Sequence, residues 1–558
     1  MPEPSIPQRN GSVLVATVDL PLARRRPTLA ARHRTPLLAT VPTLPLYAVW
    51  ALFLATGGGD LAAQEAWARF AADHGASAYN LFWYGGMHTA NYSLISPYLM
   101  AELGVRPVTV VSGLAAAWLG AVLVVRTGIA RPLPPAVLLS LALWCNVASG
   151  RTTFALGTAF GLGACVALTG ERPRYAVAML CAALATTASP VAGLFLAVVG
   201  AGWLCVRDWR RAAAQMAPPA LVVGATTLLF PFKGEQLMPM DRIWPPVVFS
   251  LALAVAGPRR WRVARWSACV YAAGTVVTYL VPSPIGTNVE RLAELAAPAV
   301  LLAALLDVRG HARVKAAVLA VALVLSSAWL VQKTVDDLRV STTVPTWAAR
   351  THGVVRELER LGADRTRVEV IPARNHREAT ALAPYVNMAR GWNRQLDIER
   401  GRLFYDGTFS AATYRAWLDR WAVGLVVLPE GKPDGFAEQE AAFVRSGPVY
   451  LEPVWRDPHW HVYRVRNAVP LVSAPATVVR SDGARVTVRF TRAGTATLRV
   501  AYSPWLKPET AGGCLKVRPQ RAGEFTELVA AAPGTYRIGS DWESSPSPRP
   551  SGAGCRAG

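Results

Sequence analysis

The sequence predicts a polytopic α-helical membrane protein of about eleven transmembrane helices, followed by a C-terminal region of α/β and β-sandwich structure. Three observations predict this fold class. The 558 residues are 52% hydrophobic and only 17% charged, with a mean hydropathy of +0.26, which is too apolar for an ordinary soluble enzyme. The long apolar segments all lie within residues 37–335. Every second loop between them is rich in arginine, as expected for loops on one side of a membrane.

The predicted spans follow one another through short loops, except for one long loop after the first span. Several are shorter than the ~20 residues that a straight transmembrane helix needs, so they are expected to borrow residues from flanking loops. The spans are 37–56, 107–125, 133–149, 152–170, 175–188, 191–206, 216–231, 244–257, 266–281, 291–306 and 316–332.

Basic residues give the predicted orientation. Residues 1–36 form a basic N-terminal segment, and every second loop after it carries further arginines, such as Arg172 and Arg174. Cytoplasmic loops are enriched in basic residues, so the N terminus is predicted to be cytoplasmic and, after an odd number of spans, the C-terminal region extracytoplasmic. The opposite loops hold only Arg69, Arg106, Arg151, Lys233, Arg242 and Arg291. Membrane insertion does not require these six, which makes them candidates for function.

The long loop 57–106 is predicted to lie on the outer side, with an interfacial helix over 62–74. Its aromatic residues Trp67, Phe82, Trp83 and Tyr84 suit the headgroup level, where amphipathic rings settle. The segment 79–100 is not counted as a span, because its polar side chains would be costly in lipid.

The region after the last span changes character. Over 336–467, VVRELERLG and TYRAWLDRWA read as helices and RVEVIPA and VGLVVLPE as strands, which predicts an α/β domain. Short alternating strands over 468–541 predict a small β-sandwich, and the Pro-, Ser- and Gly-rich stretch 542–558 a disordered tail. Two stretches, NHREAT and GWNRQLD, are polar and aromatic enough to touch a glycan, with a surface or domain contact at least as fitting.

The composition excludes several function classes. Much of the formal net charge of +22 lies in short loops between apolar spans, where anionic lipid explains it, and no basic stripe with interleaved aromatics indicates nucleic-acid binding. A nucleotide-binding glycine loop with its lysine is missing, which argues against an ATP-driven pump. Five cysteines lie in predicted spans as packing residues, and Cys514 and Cys555 leave a disulfide between them open.

Ionisable and amide side chains cluster at the predicted outer ends of the spans. Asp60 follows the first span in GGGDLAAQ, where three glycines permit a sharp turn. Further loops contribute Asn146 and Arg151 in CNVASGRTTF, Lys233 and Arg242 in KGEQLMPMDRIW, and Asn288, Glu290 and Arg291 in PSPIGTNVERL, while His88, Asn91 and Tyr92 come from the long loop. These groups are predicted to converge on one outward-facing site.

This mixture suits transfer of a sugar from a lipid phosphate. The reaction needs a carboxylate to deprotonate the acceptor hydroxyl and cations to bind the departing phosphate. Asp60 is the predicted base. Arg151 and Arg291 are the predicted phosphate clamps, because a guanidinium fork matches phosphate oxygens, and Lys233 and Arg242 are further donor-phosphate candidates.

Each of these residues also has a structural interpretation. Polar loop residues beside a membrane are commonly only solvated, and Arg291 has Glu290, Glu294 and Asp60 as potential ion-pair partners. His74 and His88 are more often hydrogen-bonding residues than ligands. No pair at metal-ligand spacing is present, so no metal ligand is assigned.

With these residues in place, the chain resembles the GT-C superfamily of polyprenyl-phosphate-sugar-dependent glycosyltransferases. Its SGRTTFALG turn resembles one in bacterial members, and GWNRQLDIERGRLFY, PHWHVYRV and VAYSPWLKPETAGG are similar to outer domains of actinobacterial GT-C-like and YfhO-like membrane proteins. The resemblance implies a catalytic acid in the first outward loop, which matches Asp60, with Glu65 the weaker candidate. The tandem acidic pair common in that loop is missing, since Leu61 follows Asp60, and a divalent cation (Mg or Mn) is left open as cofactor.

The function expected on these grounds is hexosyl or pentosyl transfer from a polyprenyl-phosphate donor to a cell-envelope glycan or lipid acceptor on the outer face of the cell membrane. Membrane lipids are expected partners and nucleic acids are not. Two alternatives stay open. A secondary transporter or exporter of a lipid-linked or small substrate would need ionisable residues at midspan, and a non-catalytic envelope scaffold would use the C-terminal region to bind a partner.

Overall fold

The structure is a computed structural model that describes residues 29–170, 172–308, 312–509, 514–521 and 523–542. Most of the predicted N-terminal segment 1–36 lies outside the described residues. The same holds for nearly all of the predicted tail 542–558, and with it Cys555, so the disulfide question is not addressed.

The first part of the chain is a helical bundle with two further helices, α3 and α4, in the long loop. The helices in order are α1 (Leu29–Thr40), α2 (Leu44–Val49), α3 (Asp60–Asp73), α4 (Ser96–Leu103), α5 (Val105–Arg126), α6 (Leu133–Ala148), α7 (Thr152–Leu168), α8 (Tyr175–Ala188), α9 (Pro190–Cys205), α10 (Trp209–Leu229), α11 (Trp244–Ala256), α12 (Arg262–Leu280), α13 (Glu290–Asp307) and α14 (Arg313–Ser341). α1 and α2 continue through a π-helical turn, Trp50–Leu54, as one apolar helix.

Each predicted span coincides with a helix of the bundle. Among the described residues, four helices are long and apolar enough to cross a membrane, namely His33–Leu54, Val105–Arg126, Trp209–Leu229 and Arg313–Ser341, and four shorter apolar helices lie between them. The chain is therefore built as a membrane protein with a β-sheet-containing C-terminal part. The number of crossings, eleven, stays a prediction.

The last helix differs from its predicted bounds. The span was predicted to end at 332, but α14 runs on to Ser341 through Lys333 and Asp337. The extra turns contain no glycine or proline, and these two charged side chains pair with neighbouring parts of the bundle instead of facing water alone. The α/β domain therefore begins after 341 and not at 336.

The helices alternate between two ends of the bundle. At the first, the domain-facing end, α2 and α14 finish close to the C-terminal part, and α3, α7 and α13 begin. At the other, the opposite end, lie the arginine-rich loops, each with one or two arginines: 127–132, 169–170 with 172–174, 206–208 and 257–261. The basic residues thus gather at the end that lies away from the C-terminal part.

The C-terminal part contains two layered units. Its helices are α15 (Thr346–Ala349), α16 (His352–Arg360), α17 (Glu378–Ala381), α18 (Arg394–Arg400), α19 (Ala411–Arg420) and α20 (Glu438–Arg445). Its strands are β1 (Arg367–Val370), β2 (Val423–Pro429), β3 (Leu451–Arg456), β4 (Trp460–Val465), β5 (Ala476–Ser481), β6 (Val486–Phe490), β7 (Gly494–Ala501), β8 (Lys507–Pro508), β9 (Leu515–Pro519), β10 (Phe525–Ala530) and β11 (Gly534–Gly539).

The first unit is a four-stranded sheet in the order β1-β2-β4-β3, with β1 and β2 parallel and the other pairs antiparallel. β2 is buried along its whole length. α19 and α20 pack on one face, and α3 with the following loop packs on the other. The second unit pairs a sheet β5-β6-β11-β8 with a sheet β7-β10-β9 around a shared apolar core.

The aromatic residues of loop 57–106 are not at the headgroup level as expected. Trp67, Phe82, Trp83 and Tyr84 are all at most 2% exposed and belong to the core shared by α3 and the α/β sheet. Trp83 donates its indole N–H to the carbonyl of Ala379 at 3.1 Å. The surrounding core residues bury these rings more completely than a lipid interface would, and this packing fixes α3 against the C-terminal part.

Candidate functional site

Asp60 is held by an unusual turn between the first helix and α3. Gly57 and Gly59 have φ angles of +86° and +64°, which favour glycine. A Cβ atom at Gly58 would lie 2.6 Å from the carbonyl oxygen of Ser341. The three glycines therefore let the chain turn tightly beneath the end of α14, and Asp60 becomes the first residue of α3, where the helix N-terminus stabilises a carboxylate.

Two guanidinium groups approach the Asp60 carboxylate. Arg151 Nε lies 3.8 Å and Arg291 Nη2 lies 3.6 Å from Asp60 Oδ2. Arg151 directly precedes α7 and Arg291 is the second residue of α13, so the three groups come from three distant parts of the sequence. The structure thus brings together the predicted base and both predicted clamps.

The ion pairs continue beyond this triplet into α13 and α14. Arg151 Nη1 bonds Glu294, and its Nη2 lies 3.4 Å from Asp337 Oδ2. Lys333 bonds Glu290 and lies 2.5 Å from Glu294 Oε1, while Arg242 Nη1 lies 3.8 Å from Glu290 Oε2. We call these eight side chains the charged network: Asp60, Arg151, Arg242, Glu290, Arg291, Glu294, Lys333 and Asp337.

Burial divides the roles of the two arginines. Arg151 is 9% exposed and faces three carboxylates. Burial disfavours its charge, but Glu294, Asp337 and Asp60 outweigh this and raise the pKa of Arg151. Arg291 has Asp60 as its ion-pair partner, and its guanidinium lies 5.4 Å from the ring centroid of Phe154. Arg151 is therefore a structural centre, and Arg291 has the fewer carboxylate contacts.

Sequence reasoning missed two members of the charged network, Lys333 and Asp337. Both lie beyond the predicted end of the last span, in the final turns of α14. Their spacing of four residues places them on one helix face, which was the available signal. Glu294, considered only as an ion-pair partner of Arg291, pairs with Arg151 instead.

A second group of predicted site residues lies outside the charged network. Asn146 is buried, and its Oδ1 has no hydrogen-bond partner. Asn288 donates to Gln236 Oε1 at 3.4 Å. Lys233 is exposed. Burial raises the pKa of Glu399, and the charge of Lys233 is one of the smaller effects that oppose this rise. Glu65 points toward Gly57 and Arg377, and burial raises the pKa of its carboxyl despite nearby arginines.

The three predicted pocket residues of the long loop do not join the charged network. His88 is buried, with Nδ1 3.1 Å from the Ala78 carbonyl and Nε2 3.1 Å from Ser503 Oγ, and burial lowers its pKa to about 4. Tyr92 packs on Trp67, with ring centroids 4.4 Å apart, and Asn91 ends a short 3-10 turn. His88 and Tyr92 join α3 and the long loop to the C-terminal units, because their rings fill apolar contacts there.

The α/β domain covers the Asp60 turn. Trp392 donates its indole N–H to the Gly59 carbonyl at 3.0 Å, and Gly59 N–H donates to the Asn375 carbonyl at 2.8 Å. Arg377 bonds the carbonyl oxygens of Thr56 and Ser341. NHREAT and GWNRQLD, the two stretches singled out in the sequence, thus contact the main chain of the glycine turn and its flanks, mostly through side-chain donors.

An apolar cavity of about 480 Å³ runs through the helical bundle beneath the charged network. Phe154 and Leu292 line it near the domain-facing end, while Thr127 and Trp203 line it near the opposite end. Arg291 contacts Phe154 and precedes Leu292, so it connects the charged network to two residues that line the cavity, although its own side chain does not line it. A lipid chain in the cavity would present its polar end to this arginine.

The charged network offers poor surroundings for a metal ion. In the part of the chain that the structure describes, no group of three or more His, Cys, Asp or Glu side chains is arranged to hold one. The accessible carboxylate of Asp60 also has two guanidinium groups within 4 Å, which would repel a divalent cation. These residues do not fit Mg²⁺ or Mn²⁺.

Comparisons with known proteins give limited matches. A family model described as a domain of unknown function (DUF8823) matches residues 473–556, which include the β-sandwich strands. No curated protein matches the chain. Two solved structures of arabinofuranosyltransferase AftD from mycobacteria, one of them a mutant, match with a TM-score of 0.42 each. Their identities are 12% and 15% over 91% and 85% of this chain, which spans 61% and 42% of those chains.

Proposed function

We propose that the chain is a membrane glycosyltransferase of GT-C type that moves a hexosyl or pentosyl group from a polyprenyl-phosphate donor to a cell-envelope glycan or lipid acceptor. One observation carries the proposal. The Asp60 carboxylate lies between two guanidinium groups, and one of them, that of Arg291, stands over Phe154, which lines an apolar cavity of about 480 Å³. A lipid-linked phosphate sugar needs these three elements side by side: a base, a cation and space for a chain.

The proposed reaction assigns one step to each group. Asp60 takes the proton of an acceptor hydroxyl, whose oxygen attacks the anomeric carbon of the donor sugar. The bond from that carbon to the phosphate oxygen breaks, and the polyprenyl phosphate leaves with the bonding electrons. Arg291 stabilises the negative charge of the leaving phosphate. Arg151 positions Asp60, and the configuration at the anomeric carbon inverts.

The distribution of charge favours transfer over transport. Glu290 and Glu294 lie in the first two turns of α13, and Lys333 and Asp337 in the last turns of α14, so these groups stand at the domain-facing end of the bundle. A transporter would place such groups near midspan. The arginine-rich loops lie at the opposite end, which supports an extracytoplasmic site by the positive-inside rule.

A transfer assay on the full chain tests the proposal. Purified protein in lipid vesicles is incubated with a panel of polyprenyl-phosphate sugars and cell-envelope acceptors, and product is measured for the parent, Asp60→Asn and Asp73→Asn. Asp73 is a matched control, because it ends the same helix and, within the described part of the chain, its ion pair is with Arg69 on an exposed surface. We expect Asp60→Asn to lower kcat at least about a hundredfold, as loss of a general base does, and Asp73→Asn to keep the parental rate.

Two results contradict the proposal. Transfer at the full rate by Asp60→Asn removes the base from the mechanism. Failure of the parent to transfer any sugar of the panel, in protein that melts cooperatively, removes the activity itself.

A further inference from the structure

Two carboxylates of the charged network remain open to solvent. The side chains of Asp60 and Asp337 are 34% and 38% exposed, whereas those of Glu290 and Glu294 are 1% and 6% exposed. The two glutamates form buried ion pairs, Glu290 with Lys333 and Glu294 with Arg151. A polar molecule that enters the site from solvent therefore meets Asp60 and Asp337.

One edge of a single guanidinium sets the spacing of these two carboxylates. Asp60 faces Arg151 Nε and Asp337 faces Arg151 Nη2. These two nitrogens form the edge of the guanidinium that commonly binds one carboxylate through both oxygens. Here the two nitrogens face different carboxylates, Nη2 with a hydrogen bond to Asp337 and Nε without one to Asp60, so Asp60 and Asp337 are neighbours around one guanidinium.

The neighbours of the two carboxylates give the site a direction. Asp60 pairs with Arg291, and the Arg291 guanidinium lies over the ring of Phe154, which lines the apolar cavity. Asp337 pairs instead with Arg151 Nη2, and among the described residues it has no ion pair with Arg291. With the donor phosphate assigned to Arg291, the partly exposed carboxylate of Asp337 remains for the second substrate.

We infer that Asp337 binds the acceptor through hydrogen bonds from its hydroxyl groups, and that the acceptor is a neutral polyhydroxyl compound such as an uncharged sugar. The inference rests on the proposed glycosyl transfer. A carboxylate accepts hydrogen bonds from two neighbouring hydroxyls, and such charged bonds are strong in a partly dehydrated site. Arg151, the cation that Asp60 and Asp337 share, is already paired with three carboxylates, so a phosphorylated or carboxylated acceptor would bring an uncompensated negative charge beside them and would be repelled.

The test measures kinetics of the full chain in lipid vesicles with a neutral acceptor sugar. Asp337→Asn is compared with Asp336→Asn, which changes the adjacent residue of the same helix. Asp336 is 57% exposed and pairs with Arg339 three residues further on, outside the charged network. We expect Asp337→Asn to raise the acceptor KM about tenfold, with the donor KM unchanged and kcat at saturating acceptor within about threefold of the parent. Asp336→Asn should keep all three constants.

A second arm tests the acceptor class. The parent is expected to prefer the neutral acceptor over the same sugar carrying a phosphate, and Asp337→Asn should narrow that preference. Equal use of both acceptors by the parent contradicts the neutral class.

The outcomes separate this inference from the proposed function. An inactive parent refutes glycosyl transfer, whereas an active parent with an unchanged acceptor KM in Asp337→Asn refutes the role of Asp337. A rise in the donor KM alone also refutes it.

Should Asp337→Asn fail to fold in a melting experiment, Asp337→Glu decides, because it keeps the charge beside Arg151 and moves the carboxylate by one methylene. An acceptor KM at least about threefold above the parent then supports the inference, and a parental KM overturns it.

Discussion

Arg151 shows why the identity of a charged residue does not give its role. A guanidinium at the end of a span can bind a phosphate, and the sequence predicted this for both Arg151 and Arg291. In the structure, Arg151 is almost fully buried against three carboxylates, whereas Arg291 has one carboxylate and an aromatic ring beside the cavity. The number of partners, which depends on the tertiary fold, distinguishes the positioning arginine from the one that meets a ligand.

His88 provides a pH-dependent prediction at this scale. Burial lowers its folded-state pKa from 6.5 to about 4, so the unfolded chain binds a proton more readily than the folded chain between these values. Stability is therefore complete above pH 6.5 and falls as the pH drops toward 4, by up to about 3 kcal/mol from this residue. Thermal melting of the parent and of His88→Gln between pH 4 and pH 7 measures this difference.

The glutamine variant should lose much of that pH dependence, because it cannot be protonated. His352→Gln is the matched control, since His352 is exposed on α16 and should leave the pH profile unchanged. An equal slope in all three proteins argues against the buried, neutral state of His88.

At the scale of elements, α13 and α14 act as one unit. Glu290 and Glu294 are one turn apart on α13, Lys333 and Asp337 are one turn apart on α14, and Lys333 bridges both glutamates. This pairing explains why α14 extends beyond its predicted end: the polar turns find buried partners on the neighbouring helix. Hydropathy along one segment gives the apolar part of a span but not the polar turns that tertiary pairing adds.

The glycine turn before α3 predicts a second measurable effect. A Cβ at Gly58 would meet the Ser341 carbonyl at 2.6 Å and Arg377 Nη2 at 2.9 Å, and the carbonyl cannot move without shifting α14. We expect Gly58→Ala to destabilise the protein by about 1 to 3 kcal/mol through overpacking and to lower transfer by displacing Asp60. Melting temperature and transfer rate are measured together.

Gly435→Ala is the control for this substitution. A Cβ at Gly435 would have no neighbour within 4 Å, and its φ angle does not require glycine. The control should match the parent in both measurements. A Gly58→Ala protein that also matches the parent would show that the turn does not constrain Asp60.

The helices of the bundle were predictable because long apolar runs and short loops determine them almost alone. The strand in VGLVVLPE followed from a continuous apolar run, and the strand in RVEVIPA from the alternation of valine with charged residues. The environment of Trp67 and Trp83 was not predictable, because an aromatic ring suits a lipid interface and a protein core alike. The acidic residues differ in a similar way. Asp60 could be selected from its place after the first span, whereas the position of Asp337 at the site depends on the tertiary contact between α14 and Arg151.

At the scale of the whole molecule, the basic loops, the cavity and the C-terminal units are arranged in order along the bundle, from its opposite end to its domain-facing end. Arginine-rich loops lie at the opposite end of the bundle, and the C-terminal units lie at the domain-facing end. The cavity lies within the bundle, and Arg291 of the charged network stands over Phe154 in its lining. The fold thus places a solvent-accessible carboxylate, a cation and an apolar space for a chain in direct succession.

The most direct measurement of this account compares long-chain and short-chain donors in a cavity-filling variant. Gly161 lines the cavity and has room for a side chain, with no atom closer than 3.8 Å to a new Cβ. Gly161→Leu should lower kcat/KM for a long polyprenyl-phosphate sugar by about tenfold, equal to about 1.4 kcal/mol of lost binding, and spare a donor with a short prenyl chain. Gly224→Leu, on α10 and outside the cavity lining, should change neither donor. A Gly161→Leu protein that treats both donors as the parent does, or that loses both equally, would contradict the account.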